Sequence, residues 1–325
     1  MLRWRVVPRL LAGMAAVLLL AGCGSGGGSH DPSVPVPGAT STSTTAAGCA
    51  PAKPHGAGDS TAVLTTAAGG RSYVLHVPPS YDGQSRMPLV LLFHGFAGTG
   101  RSMLDYSGFG AVADRHHYIV VAPEGQGMPQ FWNVAMSPGA ADDVAFVRSL
   151  VDEVKAELCI DSDRVYAAGF SNGGGMALRL ACEDPGTVAA VGVVASMYPQ
   201  CAATPATPLI AFHGAADPEL PFNGGRLPDE ATDFPPVRRV VSEWAVGLGC
   251  DGLARISRPA PHVELSTYVR CLLGDGEALL YTLIDGGHTW PGAAVDLPAM
   301  SGATNREVDA SELIAQFFDE RGGAR

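Results

Sequence analysis

Three short stretches carry side chains from which hydrolytic chemistry could be built. Gly169-Phe170-Ser171-Asn172-Gly173, continued by Gly174 and Gly175, sets a serine among residues small enough for a very tight turn. A serine hydroxyl is a weak nucleophile at neutral pH; it needs a base within hydrogen-bond reach, and that base needs a carboxylate to orient it. His213-Gly214-Ala215-Ala216-Asp217-Pro218 offers the carboxylate, and Asp285-Gly286-Gly287-His288-Thr289-Trp290-Pro291 offers the imidazole. The expected roles are Ser171 as nucleophile, His288 as general base and Asp217 as orienting acid, with Glu219, Asp229, Asp233 and Asp285 as rival acids. His76, His116, His117 and His262 read as surface or packing residues.

A tetrahedral intermediate needs backbone donors aimed at its oxyanion, and losing one costs about 3 to 4 kcal/mol of barrier. The N–H groups of Asn172, next to the nucleophile, and of Phe96, in His94-Gly95-Phe96-Ala97-Gly98-Thr99-Gly100, are the candidates. His94 itself reads as a residue that holds this loop by a side-chain hydrogen bond. Trp132 and Trp290 are the expected substrate-facing aromatics, able to stack on a phenolic ring or a sugar. No cofactor is expected: the glycines at 95, 98 and 100 lack the dinucleotide-binding order. Neither His116-His117 nor Asp161-Ser162-Asp163 continues into a metal-binding pattern, and Cys-x-x-Cys is absent.

These residues need a scaffold that delivers loops to one rim. Runs 89–93, 118–122, 165–168, 188–195, 209–212 and 279–284 are apolar on both faces, as buried parallel strands are, and each stops at Gly, Pro or a polar cluster. Runs 61–66 and 72–77 alternate more and predict antiparallel edge strands. Helical stripes lie between, the clearest at 142–158, where Val144, Val147, Leu150, Val151, Val154 and Leu158 share a face and Asp142 can cap the start. Others fall at 101–115, 173–183, 236–247 and 307–320. This alternation predicts an α/β fold, a mostly parallel sheet with helices on both faces and a site beyond the strands' carboxyl ends. Serine on a strand-to-helix elbow, then acid, then histidine is the chain order of the α/β-hydrolase fold.

The ordered set of motifs resembles exported polyhydroxybutyrate-depolymerase-like and feruloyl-esterase-like enzymes of carbohydrate esterase family 1. It comprises His94-Gly95, Phe131-Trp132-Asn133, Asp142-Asp143-Val144-x-Phe146, Arg164-Val165-Tyr166, Gly169-x-Ser171-Asn172-Gly173-Gly174, His213-Gly214-x-x-Asp217 and Gly287-His288-Thr289-Trp290-Pro291-Gly292, over roughly 70–320. The resemblance implies Ser171, Asp217 and His288 as a triad and hydrolysis of carboxylic esters. Depolymerase-like members often carry cysteine after the His-Gly of the oxyanion loop; Phe96 stands there instead. A serine peptidase on the same fold would share the triad but needs an anchor for a peptide terminus. A non-catalytic cell-envelope lipoprotein would have no need of all three groups.

The N-terminus adds an address. Arg3, Arg5 and Arg9, an apolar stretch from Leu10 to Leu20, and Leu20-Ala21-Gly22-Cys23 read as a lipoprotein signal peptide over 1–22 with Cys23 as the lipidated residue. Residues 23–58, rich in Gly, Ser, Thr and Pro, read as a flexible tether, and 59–325 as the catalytic domain. Losing the signal's three arginines takes the formal charge from −11 to −14, which disfavours nucleic acid as a partner. The expected partners are an ester substrate and, through the lipid, the membrane; the expected location is extracytoplasmic, anchored or secreted. Six further cysteines suit that compartment. The expected pairs are Cys49 with Cys159, Cys182 with Cys201, and Cys250 with Cys271, the last two closing local loops.

Overall fold

The computed structural model describes residues 48–135, 137, 139–196, 207–226, 233–272 and 277–321. The expected lipoprotein signal, Cys23, most of the expected tether, and Cys201 lie outside them. Twelve strands are present among the described residues: β1 Gly58–Thr66, β2 Gly69–Val77, β3 Met87–Phe93, β4 Ile119–Pro123, β5 Ile160–Phe170, β6 Ala190–Val194, β7 Leu209–Gly214, β8 Gly225–Arg226, β9 Asp233–Phe234, β10 Ala254–Ala260, β11 Val263–Tyr268 and β12 Ala278–Leu283. Ten of them form one sheet in the order β1-β2-β4-β3-β5-β6-β7-β12-β11-β10. From β4 to β12 every neighbour is parallel. The two hairpins at the edges, β1–β2 and β10–β11, join antiparallel.

The helices are α1 Gly100–Ser107, α2 Phe109–His116, α3 Asp143–Glu157, α4 Asn172–Glu183, α5 Val237–Gly247 and α6 Ala310–Asp319. Side chains alternate across a strand, so each central strand feeds two cores. Leu89, Leu91 and Phe93 join Val165, Ala167 and Leu209 beneath α3, α4 and α5. Val90 and Leu92 join Tyr166, Ala168 and Ile210 beneath α1, α2 and α6. The α/β reading with helices on both faces therefore holds. The stripe at 101–115 is two helices rather than one, because Gly108 takes φ 65° and caps the first.

The β10–β11 hairpin had no counterpart in the sequence reading. β10, Ala-Arg-Ile-Ser-Arg-Pro-Ala, is largely exposed at the sheet edge and contains Pro259, so neither a buried apolar run nor clean alternation marks it. Two of the expected disulfides are formed, Cys49–Cys159 and Cys250–Cys271. They fit a chain that matures outside the reducing cytoplasm. Cys182 is also disulfide-bonded.

Candidate active site

Four loops meet at the carboxyl ends of the parallel strands. β5 is the central strand of the site, and it runs into Ser171 with φ 53° and ψ −121°, a conformation a non-glycine residue holds only under constraint. The constraint is packing. A Cβ on Gly169 would lie 2.3 Å from the Gly173 carbonyl oxygen, and one on Gly173 would lie 2.2 Å from the Phe93 carbonyl oxygen. Only glycine at both positions lets the elbow close against β3 and aim the serine outward.

Ser171 Oγ donates to His288 Nε2 at 2.8 Å, and His288 Nδ1 donates to Asp217 Oδ2 at 2.8 Å. With the proton on Nδ1, Nε2 is the acceptor that a general base requires. Asp217 is held in turn: its Oδ1 accepts the backbone N–H groups of Glu219 and Leu220, each at 2.8 Å. Burial acts to raise the Asp217 carboxyl, but the hydrogen bond from His288 and the neighbouring histidines outweigh it, so the group sits below the usual carboxylate range. His288 is fixed from behind by its own N–H, which donates to the Ser301 carbonyl at 2.6 Å.

The serine opens into a cleft of about 370 Å³, a volume suited to a small organic group. Phe96 lines it, together with Gly95, Ala97 and Gly98. The Phe96 loop is held by Ala97 N–H on the Gln130 carbonyl, 2.8 Å, and by His94. Gly125 N–H donates to His94 Nε2 at 2.8 Å, which leaves the His94 proton on Nδ1, donating to the Gly95 carbonyl at 2.7 Å. Burial pushes the His94 imidazole down, so it stays neutral. Neither Phe96 N–H nor Asn172 N–H has an acceptor among the described residues, and Asn172 opens α4, where the helix dipole favours negative charge.

Residues 71–208 match the family model described as Esterase PHB depolymerase. Over 275 residues the chain is 32% identical to the protein named "Putative esterase NocK" of Nocardia uniformis subsp. tsuyamanensis, covering 76% of this chain and 79% of that protein. The chain belongs to the Esterase PHB depolymerase family. As a member it is a carboxylic ester hydrolase. This esterase is also 30% identical over 230 residues to Feruloyl esterase B of Piromyces equi, a match covering 67% of this chain and 42% of that longer protein. Its fold resembles the acetyl xylan esterase from Aspergillus awamori with a TM-score of 0.55 at 16% identity, covering 71% of this chain and 94% of that one.

Two expectations about the esterase site are corrected by its geometry. Trp132 and Trp290 do not face substrate: they are 1% and 0% exposed and line no part of the cleft. Trp132 Nε1 donates to the His94 carbonyl and Trp290 Nε1 to Ser311 Oγ, each at 3.0 Å, so both rings are core pieces with satisfied polar ends. Trp132 supports the elbow from below, because its backbone N–H and carbonyl pair with the Asn172 side-chain amide at 2.7 and 3.0 Å. The Asp142-Asp143-Val144 motif is likewise structural: Asp143, fully buried, receives Arg71 and the Asn133 N–H.

Sequence reasoning missed the far wall of the cleft. Leu297, Pro298 and Ser301 come from the loop beyond His288, and Met103 and Tyr106 from α1. None sits in a motif, and only a contact made in three dimensions reveals them. Glu219, considered only as a rival acid, lies on the other side of His288 from Asp217, with Oε2 3.7 Å from Nε2. Of the other rivals, Asp285 pairs with His262 and Asp233 with Arg226, while Asp229 lies outside the described residues. Of the other histidines, His76 faces Asp59 and Asp114, His116 faces Glu312 and Asp319, and His117 pairs with the Ser80 hydroxyl.

Proposed function

We propose that this protein hydrolyses carboxylic esters of modest size through an acyl-enzyme on Ser171. The observation that carries the reading is the continuous chain Ser171 Oγ, His288, Asp217, with both hydrogen bonds at 2.8 Å on a cleft-facing serine. His288 Nε2 takes the hydroxyl proton as Ser171 Oγ attacks the ester carbonyl carbon. The Phe96 and Asn172 N–H groups receive the oxyanion, and the same proton then goes to the departing alcohol. Water, deprotonated by His288, attacks the acyl-serine and releases the acid.

The substrate class follows from the cleft and the relatives together. Acetyl or feruloyl esters of sugars and hydroxybutyrate-type oligomers have acyl groups that a cleft of about 370 Å³ can hold. Peptide amides ask for more positioning than this rim supplies. The Leu-Ala-Gly-Cys sequence before residue 24 supports a lipid on Cys23 that anchors the enzyme, outside the cytoplasm, to the cell membrane. Changing Cys23 to Ser should shift the protein from the membrane fraction to the medium, and retention of this variant on membranes would rule the anchor out.

Ser171→Ala tests the core of the reading. Turnover of p-nitrophenyl acetate should fall by about 10⁵ or more, while the melting temperature stays close to that of the parent. Labelling of a different serine by an organophosphonate, or a preference for peptide anilides over esters, would overturn it.

A further inference from the structure

The cleft holds one carboxylate with no cation to balance it. Glu219 lines the wall beside the nucleophile, half exposed at 50%, with Oε2 3.7 Å from His288 Nε2. Its Oε1 accepts the Ser301 hydroxyl at 3.0 Å, which holds the charge at the mouth rather than out in solvent. Asp217, the other nearby acid, is buried behind His288 and engaged by it. The described residues that line the cleft include no lysine or arginine; besides His94, His288 and Tyr106, the rest of the wall is backbone, small polar groups and apolar side chains such as Phe96, Met103 and Leu297.

We propose that Glu219 is a specificity-determining residue that makes this cleft accept neutral esters, reject esters bearing a carboxylate near the scissile bond, and expel the acid it produces. The proposal rests on the Ser171 reading above. Hydrolysis adds water across the acyl bond: the alcohol leaves with one proton, and the released acid gives its own proton to solvent at neutral pH. A neutral substrate thus becomes an anion within a few ångströms of Glu219, in a concave, partly dry site where like charges repel more than in water. The same repulsion meets an incoming substrate that is already anionic. Acetyl or feruloyl esters of neutral sugars and internal bonds of a hydroxybutyrate oligomer pass this filter. The bond next to the free acid terminus of such an oligomer does not.

The test compares p-nitrophenyl hemisuccinate with p-nitrophenyl methyl succinate, in which the distal acid is masked, on the wild type, Glu219→Gln and Ser301→Ala. Inhibition by butyrate against butanamide is measured alongside. At low ionic strength the wild type should favour the masked ester, and E219Q should narrow that ratio by about 3- to 10-fold while tightening inhibition by butyrate relative to butanamide. Salt at about 0.5 M should narrow the wild-type ratio in the same direction, because it screens the charge; this arm needs no variant. Ser301→Ala keeps the charge but frees it from the hydroxyl that holds it at the mouth, so its ratio should fall between those of the wild type and E219Q. A ratio unmoved by both E219Q and salt, with the masked ester turned over normally by the wild type, overturns the role of Glu219 alone. A wild type inert on the masked ester overturns the serine-esterase reading beneath it.

Discussion

The loop after β3 and the loop after β12 both place a histidine at the rim of the sheet, yet the two imidazoles have opposite employment. His94 is 1% exposed and both its nitrogens are taken by backbone groups of Gly125 and Gly95. His288 is nearly as buried at 3%, but its partners are side chains: a carboxylate on Nδ1 and the serine hydroxyl on Nε2. Burial therefore does not distinguish the histidine proposed as general base from the structural one. What separates them is whether a nitrogen keeps a lone pair facing something that can react.

The largest separation should appear in turnover. His288→Ala should lower kcat on p-nitrophenyl acetate by about 10⁵ to 10⁶, and Asp217→Asn by about 10⁴, because the wrong tautomer then faces Ser171. If Asp217→Asn matched the parent, Glu219 or another acid would have to be the orienting group. His94→Ala should cost only about 10- to 100-fold in kcat, by loosening the Phe96 donor. It should also destabilise the fold by roughly 2 kcal/mol, since the buried Gly125 N–H loses its acceptor. An equal loss of kcat in the His94 and His288 variants, at equal stability, would erase the distinction.

The smallest effect is in the pH dependence of stability. Burial lowers the affinity of His94 and His213 for protons below that of the unfolded chain. As pH falls below the ordinary histidine value of 6.5, the unfolded state binds protons that the folded state refuses, so stability declines; above that value these groups contribute no slope. Asp217 adds to acid sensitivity at lower pH, because its depressed carboxyl contributes stability above the unfolded value that is lost as pH falls through the folded one. His94→Ala should flatten the dependence between about pH 6.5 and 5.5 by up to about 1.4 kcal/mol per unit. Denaturant titrations at several pH values would measure it; an unchanged slope would mean that His94 takes up its proton in the folded state after all.

Much of this protein was legible from residue order because its signals are local. A parallel strand buried on both faces must be apolar throughout, so β3, β4, β5, β6, β7 and β12 announce themselves. An elbow that brings Gly169 and Gly173 within a Cβ of neighbouring carbonyls admits nothing larger than glycine, and so leaves a visible string around Ser171. Asp217 and His288 were found because the loops carrying them follow such strands. Burial of a ring and the sharing of a cleft wall, by contrast, depend on pairs far apart in the chain. Trp290 is shut in by α6 through Ser311, Trp132 by the elbow through Asn172, and Glu219 meets Ser301 across 82 residues. Sequence alone singled out the groups proposed to react and the rim they share. Only the tertiary structure decided that both tryptophans are buried, which acid holds His288 and which one lies at the cleft mouth, because those outcomes depend on packing and distance between segments that no short motif encodes.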